Sequence, residues 1–506
     1  MPHTLRLLLQ RAFSLSLTLS LLAGCATPGA TPPAPTTAPA GTAAGTAAPV
    51  PTSPPTLAPA ALPAATAPAP TPTPTPRLGP ELQVGNTLPK TRLEPRRSNE
   101  LADNRIGLYF HGLWNLDLNE ILQHEVLDLG ATRIKGAVNE LDWNLVDWSR
   151  PEMPIDPRHD AWFASLADNG VRVTYILSFW DKANHPDGAG LGSPRFRTEE
   201  EIARYLDFVR YIVGHFRGRG VQYYELWNEP DWPDNIQWIE PADYIAVARR
   251  AIAVIREEDP QARIAVGSTA GMMDAQAREY LYTLLRSDVM PLVDVVTWHP
   301  MYGVSPEYES EYYYRYPAIV EEIKSLASGH GFRGEYAATE LVYRSPTCTW
   351  CNPNDVLYSD VTSAKYYLRG IMLHLGMDVT VGLAGMSKLY PVTFPAVRNL
   401  CTVMAGAQAV PLPIDVESQA TPLRVYAFSL ADGGRLIALW VDVAAVDDDP
   451  GTGANLRVGG HAGWQAEGID PLSGVVQPLV TRDEGADLLI DGLLVRDHPI
   501  VLRLRR

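Results

Sequence analysis

The sequence predicts an α/β protein, a (β/α)8 TIM barrel with a C-terminal antiparallel β-sandwich, and two observations lead to this fold class. Between residues 98 and 408, short apolar runs alternate with amphipathic helical patterns, which is typical of a parallel sheet covered by helices. Between residues 409 and 506 the apolar residues recur with a period of two, which is typical of antiparallel strands. Eight strand-and-helix units in the first region are enough to close a barrel.

The barrel strands are predicted from their apolar residues, and the helices between them from start and stop signals. Thr198 and Glu201 form a capping box at the start of one long helix, and the next helix is predicted at residues 241–258. Seven strands are predicted at residues 105–110, 131–138, 171–177, 263–267, 293–297, 335–339 and 379–383. The fourth strand is the aromatic run that begins at residue 223.

The first 25 residues have the composition of an export signal. Arg6 and Arg11 precede an apolar run at residues 12–22 that is too short to span a membrane. The ending Leu22-Ala23-Gly24-Cys25 resembles a bacterial lipobox, which implies cleavage before Cys25 and lipidation of its thiol. We therefore expect a lipid-anchored, extracytoplasmic protein of the bacterial cell envelope. The alternative is an ordinary signal peptide with an incidental cysteine.

Residues 26–97 are predicted to be a disordered linker. As far as about residue 76, they are almost only Ala, Pro, Thr and Gly, and such a segment cannot bury a core. We expect a partly polyproline-II tether that carries the folded part away from the membrane.

The charge of the chain limits its partners. The 506 residues carry a formal net charge of −16, which repels nucleic acid and anionic membrane surfaces. We expect no nucleic-acid partner, contact with the membrane only through the N-terminal lipid, and a monomer. No cluster of residues implies a metal or an organic cofactor.

Two carboxylates lie at the ends of predicted barrel strands. Asn228 and Glu229 end the fourth strand and are followed by Pro230, and Glu340 ends the seventh. Since catalytic residues of barrels lie at the carboxyl ends of the strands, these two acids are expected to face each other across one pocket. Glu225, within the fourth strand, either points into the barrel or pairs with a cation.

The segments Trp227-Asn228-Glu229-Pro230 and Thr339-Glu340 resemble those of the retaining (β/α)8 glycoside hydrolases of clan A. The resemblance covers about residues 98–408 and is nearest to family 39, with family 5 or an unassigned family as rivals. It implies hydrolysis of a β-linked oligo- or polysaccharide by double displacement. In that mechanism Glu229 is the acid/base, Glu340 is the nucleophile, and Asn228 binds the 2-hydroxyl of the sugar.

The same resemblance implies further substrate-site residues. Tyr302 would donate a hydrogen bond to Glu340, and His299 would contact the substrate or Glu229. Clan members often have an arginine on the second strand beside the nucleophile, and here either Arg133 or Lys135 takes that place. The eighth strand lacks the usual tryptophan, because its end reads Gly385-Met386-Ser387-Lys388, which suggests an altered subsite.

Several other residues are candidates for the same pocket. Trp114 and Trp180 follow predicted strands and are expected to stack on sugar rings, with burial in the core as the alternative. Cys348 and Cys351 flank two residues in the loop after Glu340, and in an exported protein they predict a disulfide, with two free thiols as the alternative.

The leading hypothesis has a rival from another class. A lipoprotein with a glycosidase-like barrel could bind polysaccharide without cleaving it, but such a protein does not need two facing acids. A transglycosylase would use the same residues as a hydrolase. We expect the β-sandwich to support the barrel rather than to bind sugar.

Overall fold

The computed structural model describes residues 79–110, 117–137, 155, 157–178, 195–232, 238–348 and 355–506. Within them, eight parallel strands form a closed barrel, because the first barrel strand pairs with both the second and the eighth. The barrel strands are β2 (Ile106–Phe110), β3 (Arg133–Gly136), β4 (Arg172–Leu177), β5 (Val221–Leu226), β6 (Arg263–Thr269), β7 (Val295–Trp298), β8 (Glu335–Leu341) and β9 (Thr380–Ala384). The predicted fold class is confirmed.

The helices between the strands begin and end at the predicted signals. Thr198 caps its helix by accepting a hydrogen bond from the N–H of Glu201, and the next helix begins at Pro241 and ends before Asp259. Their apolar faces pack on the barrel. The helices are Pro157–Asp168, Glu199–Phe216, Pro241–Glu258, Ala275–Leu285, Ser310–Gly329, Asp360–Gly376 and Thr393–Val403, with a short helical segment at Leu118–Glu120 and Ile121–Leu127.

The C-terminal region forms two antiparallel sheets, as expected. The strands are β1 (Thr91–Arg92), β10 (Gln408–Ala409), β11 (Ile414–Ser418), β12 (Leu423–Ser429), β13 (Arg435–Val441), β14 (Thr452–Val458), β15 (Gln465–Asp470), β16 (Val475–Pro478), β17 (Arg482–Glu484), β18 (Asp487–Val495) and β19 (Ile500–Arg505). One sheet has the order β1-β16-β15-β19-β13-β12-β10 and the other has the order β11-β14-β18-β17. Their facing side chains form a separate apolar core.

The segment before the barrel is part of the β-sandwich, which corrects the linker predicted to extend to residue 97. Strand β1 pairs with β16, and Leu82 is fully buried in the core of the β-sandwich. The side chain of Gln83 donates to the carbonyl of Asp491 at 2.8 Å. The Pro-, Ala- and Thr-rich composition stops at about residue 76, and the residues after it can pair with a sheet edge and bury an apolar side chain.

The barrel and the β-sandwich contact each other through the helix Asp360–Gly376. Its Lys365 forms a buried ion pair with Asp497 at 2.8 Å, and Arg369 donates to the carbonyl of Val443 at 2.6 Å. This contact connects one barrel helix to two loops of the β-sandwich.

Some predictions concern residues outside the described ranges. They are the signal peptide with Cys25, the linker at residues 26–78, Trp114, Trp180 and Cys351. Among the described helices, none has both the length and the apolar character that crossing a lipid bilayer requires.

Candidate active site

The turn after β5 holds Asn228 and Glu229 at the carboxyl end of the barrel. Trp227 and Glu229 have positive φ angles of 69° and 48°, a conformation that costs free energy for residues other than glycine. The turn is tied to the neighbouring strand because the N–H of Glu229 donates to the carbonyl of Ser268 at 3.0 Å. Such local strain is common where a side chain must be aimed at a site.

Two further strands reach the site through β-bulges. The register of β8 against β9 shifts between Ala338 and Leu341, and Glu340 in this bulge has a φ of 65°. The register of β6 against β7 shifts between Val266 and Thr269, and Ser268 has a φ of 49°. Because a bulge redirects the side chains that follow it, both strands turn a polar residue towards the end of the barrel.

The two predicted acids lie close together, and the Tyr302 hydroxyl lies between them. This hydroxyl is 3.2 Å from Oε1 of Glu229 and 2.8 Å from Oε2 of Glu340. Glu340 is 1% exposed, whereas 20% of the Glu229 side chain is exposed. Burial, and then the charges of Glu340 and Glu229, raise the pKa of Tyr302 well above its ordinary value, so that it remains a hydrogen-bond donor.

His299 lies between the same two acids on the other side. Its Nδ1 is 3.1 Å from Oε1 of Glu229, and its Nε2 is 3.1 Å from Oε1 of Glu340. The Tyr302 hydroxyl is also 2.8 Å from Nδ1. The ring is 1% exposed and follows directly after β7. One imidazole and one phenol therefore connect both carboxylates.

Lys135, and not Arg133, occupies the place beside Glu340. Its Nζ is 3.9 Å from Oε1 of Glu340 and forms a buried ion pair with Glu225 at 2.7 Å. Arg133 binds Asp103 at 2.8 Å and Glu335 at 2.9 Å, towards the other end of the barrel. Of the two sequence alternatives for the strand cation, Lys135 is the one that lies beside Glu340, and Glu225 has a cation as its partner.

Asn228 is held with its carbonyl oxygen inwards. Oδ1 lies 3.3 Å from Nζ of Lys135 and 3.3 Å from Oγ of Ser268. Ser268 was not predicted as a site residue, because the sequence expectation ended its strand at Gly267. The run of Gly267, Ser268 and Thr269 at the end of an apolar strand is the signal that could have indicated it.

Asp231 connects the turn that holds Glu229 to the segment that follows β6. Its carboxylate accepts hydrogen bonds from the N–H groups of Ala270 at 2.9 Å and Gly271 at 2.8 Å. Burial raises the pKa of Asp231 to about 7, against the effect of these two donors, and the negative charge of Glu229 adds to the rise.

One group of side chains at this site has metal-ligand chemistry. Single ligand atoms of Glu229, His299 and Glu340 lie within 4.8 Å of one another. The ammonium of Lys135 is 3.4 Å from Nε2 of His299, and this fixed positive charge opposes a divalent cation at the same position. The residues present therefore suit a hydrogen-bonded acid pair better than a metal site.

Two other cations near the strand ends have carboxylate partners. Arg344 binds Asp355 at 3.0 Å, and Lys388, at the end of the eighth barrel strand, binds Glu120. Trp227 and Trp298, which lie at strand ends, are buried in the core. Cys348 is disulfide-bonded and Cys401 is a free thiol, while the predicted partner Cys351 lies outside the described residues.

Comparison with solved structures identifies the fold. A family 39 glycoside hydrolase from the gut symbiont Bacteroides cellulosilyticus WH2 aligns over 82% of this chain and 83% of its own, with 15% identity and a TM-score of 0.55. The chain therefore shares the (β/α)8 barrel fold of this structure. A GH51 arabinofuranosidase from Xanthomonas axonopodis pv. citri aligns over 82% of this chain and 98% of its own, with 11% identity and a TM-score of 0.50. No protein-family profile and no curated protein sequence matches the chain.

Proposed function

We propose that this protein is a retaining glycoside hydrolase that cleaves a β-linked oligo- or polysaccharide by double displacement. The observation that supports it best is the spacing of the two acids, whose nearest oxygens lie within 4.8 Å. Retaining enzymes hold their carboxyl groups about 5 Å apart, whereas inverting enzymes separate them by about 6.5–9.5 Å to admit a water molecule. The shorter spacing favours direct attack by one carboxylate.

The surroundings of the two acids favour different roles. Glu340 is buried beside the Lys135 ammonium and the Tyr302 hydroxyl, which stabilise a negative charge, so it is the nucleophile. Glu229 is more exposed, with 20% of its side chain accessible, and it lies beside the carboxyl groups of Glu340 and Asp231. It is therefore the acid that protonates the leaving oxygen.

The reaction then proceeds in two steps. Glu340 attacks the anomeric carbon while Glu229 gives its proton to the leaving alcohol, and a covalent glycosyl ester forms. Glu229, now a carboxylate, removes a proton from water, which attacks the anomeric carbon and releases the sugar. Asn228 binds the 2-hydroxyl, and His299 and Tyr302 keep the two carboxyl groups in place.

The composition of the N-terminal region supports an activity outside the cell. Residues 1–25 are a lipoprotein signal peptide, and lipidation of Cys25 holds a monomeric enzyme at the envelope. The linker that follows extends to about residue 78 and lets the catalytic barrel, residues 98–408, reach a carbohydrate chain. Trp114 and Trp180 stack on the substrate, and a disulfide between Cys348 and Cys351 stiffens the loop after Glu340.

Intact-mass spectrometry after incubation with 2-deoxy-2-fluoro glycosides of several sugars tests this proposal. We expect a covalent adduct on the protein and on the variant Glu335→Gln, but none on Glu340→Gln. Glu335 is a matched control because it lies on the same strand, at its opposite end, and binds Arg133. The sugar whose fluoroglycoside forms the adduct identifies the specificity of the enzyme.

A second variant tests the acid/base. Glu229→Gln should still form the adduct from substrates with a dinitrophenolate leaving group, which needs no protonation, but should release it slowly. Adducts that form equally well on Glu340→Gln would contradict the assignment. Binding of polysaccharide without any adduct would instead indicate the non-catalytic lipoprotein.

A further inference from the structure

Ser268 is a fully buried residue that contacts most of the catalytic centre. Its Oγ lies 2.9 Å from Nζ of Lys135, 3.0 Å from Nε2 of His299 and 3.3 Å from Oδ1 of Asn228. Its backbone carbonyl accepts the hydrogen bond from Glu229. The bulge in β6 is what turns this hydroxyl inwards, since the strand register shifts at that residue.

The ammonium group of Lys135 is surrounded by several acceptor atoms. An ammonium has three donors and no acceptor. The three shortest contacts of Nζ are with oxygens of Glu225 at 2.7 Å, Ser268 at 2.9 Å and Asn228 at 3.3 Å. Nε2 of His299 and Oγ1 of Thr339 are both farther away, at 3.4 Å, so Nε2 competes with closer oxygens for a proton of Lys135.

The contacts of Nε2 decide the tautomer of His299. Nε2 lies beside Oε1 of Glu340 at 3.1 Å, and a bare nitrogen lone pair would be repelled by that carboxylate. A protonated Nε2 is attracted by Glu340 and can donate to Oγ of Ser268. In the neutral ring Nδ1 is then the acceptor, and it faces the Tyr302 hydroxyl and the carboxyl proton of Glu229.

The same hydroxyl decides how Asn228 is oriented. Because Ser268 accepts from Lys135 and His299, its own proton is available for Oδ1 of Asn228. An amide whose oxygen is held by two donors must turn its NH2 group the other way. That NH2 group is the part of Asn228 that can donate to a sugar hydroxyl.

We propose that Ser268 is a positioning residue that sets the tautomer of His299 and the orientation of the Asn228 amide. The donor and both acceptor positions of the Ser268 hydroxyl are then all used, so these hydrogen bonds hold Lys135, His299 and Asn228 in one arrangement. Its kinetic consequence rests on the glycosidase function proposed above, whereas its effect on His299 does not.

The tautomer can be measured without a substrate by 15N NMR of histidine-labelled protein, with the ring signals of His299 assigned by their loss in His299→Gln. We expect a single tautomer with a proton on Nε2 in the protein and in Ser268→Thr, which keeps the hydroxyl. In Ser268→Ala we expect signals of mixed protonation. Unchanged ring signals in Ser268→Ala would overturn the proposal.

Kinetics test the effect on Asn228. On a 4-nitrophenyl β-glycoside that the protein hydrolyses, we expect Ser268→Ala to lower kcat/KM about tenfold, and to lower it less on the matching 2-deoxy glycoside. Ser363→Ala is the matched control, since this buried serine lies on the helix Asp360–Gly376 and its hydroxyl donates to the carbonyl of Tyr343. Equal losses on both substrates would refute a role through Asn228.

The two experiments separate the proposals. If the unmodified protein hydrolyses none of the glycosides and forms no fluoroglycoside adduct, the glycosidase function fails, and the NMR result alone decides the role of Ser268. If the protein is active and Ser268→Ala is as active as Ser363→Ala, with the same His299 signals as the unmodified protein, the inference about Ser268 fails.

Discussion

At the scale of single residues, the site depends on Lys135, whose ammonium lies beside Glu340. Lys135 is a compact point charge with three donors, and it cannot bind a carboxylate in the two-pronged way of an arginine. Here its strongest contact is with Glu225, which is fully buried, while Glu340 is more than an ångström farther away. Lys135 therefore acts on Glu340 mainly through its charge.

Replacing Lys135 with methionine tests this separation of roles. We expect Lys135→Met to lower the free energy of unfolding by about 3 kcal/mol, because Glu225 would be left as a buried charge without its partner. The double variant Lys135→Met/Glu225→Gln should recover most of that stability in denaturant unfolding.

Activity should not recover with stability. We expect both variants to keep a kcat/KM about 100-fold below that of the unmodified protein, because the positive charge near Glu340 is lost in each. A double variant that regains activity together with stability would mean that Lys135 has only a structural role.

At the scale of secondary-structure elements, the bulges in β6 and β8 build the site. Each inserts a residue with positive φ, Ser268 or Glu340, just before the end of a strand. Gly267 makes the first bulge possible, because its φ is 115° and a Cβ there would lie 2.2 Å from the carbonyl oxygen of Thr297. The neighbouring strand therefore packs directly against the glycine backbone.

Gly267→Ala should accordingly be costly. We expect the free energy of unfolding to fall by about 3 kcal/mol, from backbone strain and from the contact with Thr297. Gly170→Ala is the matched control, because Gly170 also has a positive φ but has open space around its Cβ position. In denaturant unfolding, the free energy of unfolding of Gly170→Ala should fall by only about 1 kcal/mol. Equal losses in both variants would show that strain alone, and not the close packing, matters at Gly267.

The sequence predicts the elements well and the contacts between them less well. Each barrel strand is an apolar run between polar boundaries, and the acids at two strand ends indicate the site. The sequence leaves the choice between Arg133 and Lys135 open because both side chains point to the same face of β3, about 7 Å apart along the strand. Which of them reaches Glu340 depends on the register between β3 and distant strands. The position of Ser268 in the site depends on the bulge in β6.

At the scale of the whole molecule, a buried charged cluster connects the barrel to the β-sandwich. His498 lies between Asp470 at 3.1 Å and Asp497 at 3.3 Å, and Asp497 also binds Lys365 of the barrel helix. All four side chains are nearly or fully buried. Removing the β-sandwich would leave Lys365 without its partner, so the two parts depend on each other for stability.

The cluster predicts how stability changes with pH. Burial acts to lower the pKa of His498, but the two aspartates, Asp470 first, outweigh burial and raise this pKa above its ordinary value. A raised folded-state pKa contributes stability that is fully present below the pKa of the unfolded chain, and that is lost as the pH rises through the folded value. We therefore expect the Tm difference between the unmodified protein and His498→Gln to be largest near about pH 6 and to shrink towards about pH 9.

The matched control is His461→Gln, because His461 is a buried histidine of the same β-sandwich whose ring binds the carbonyl of Gly459. Its Tm difference should change little over the same pH range. The measurement should stay above about pH 5. Burial acts to raise the pKa of Asp470, but the charge of His498 and hydrogen bonds outweigh burial and lower this pKa to about 2. Protonation of the carboxylates therefore adds its own loss of stability in acid. A Tm difference for His498→Gln that is constant from pH 6 to pH 9 would mean that its charge does not stabilise the contact between the barrel and the β-sandwich.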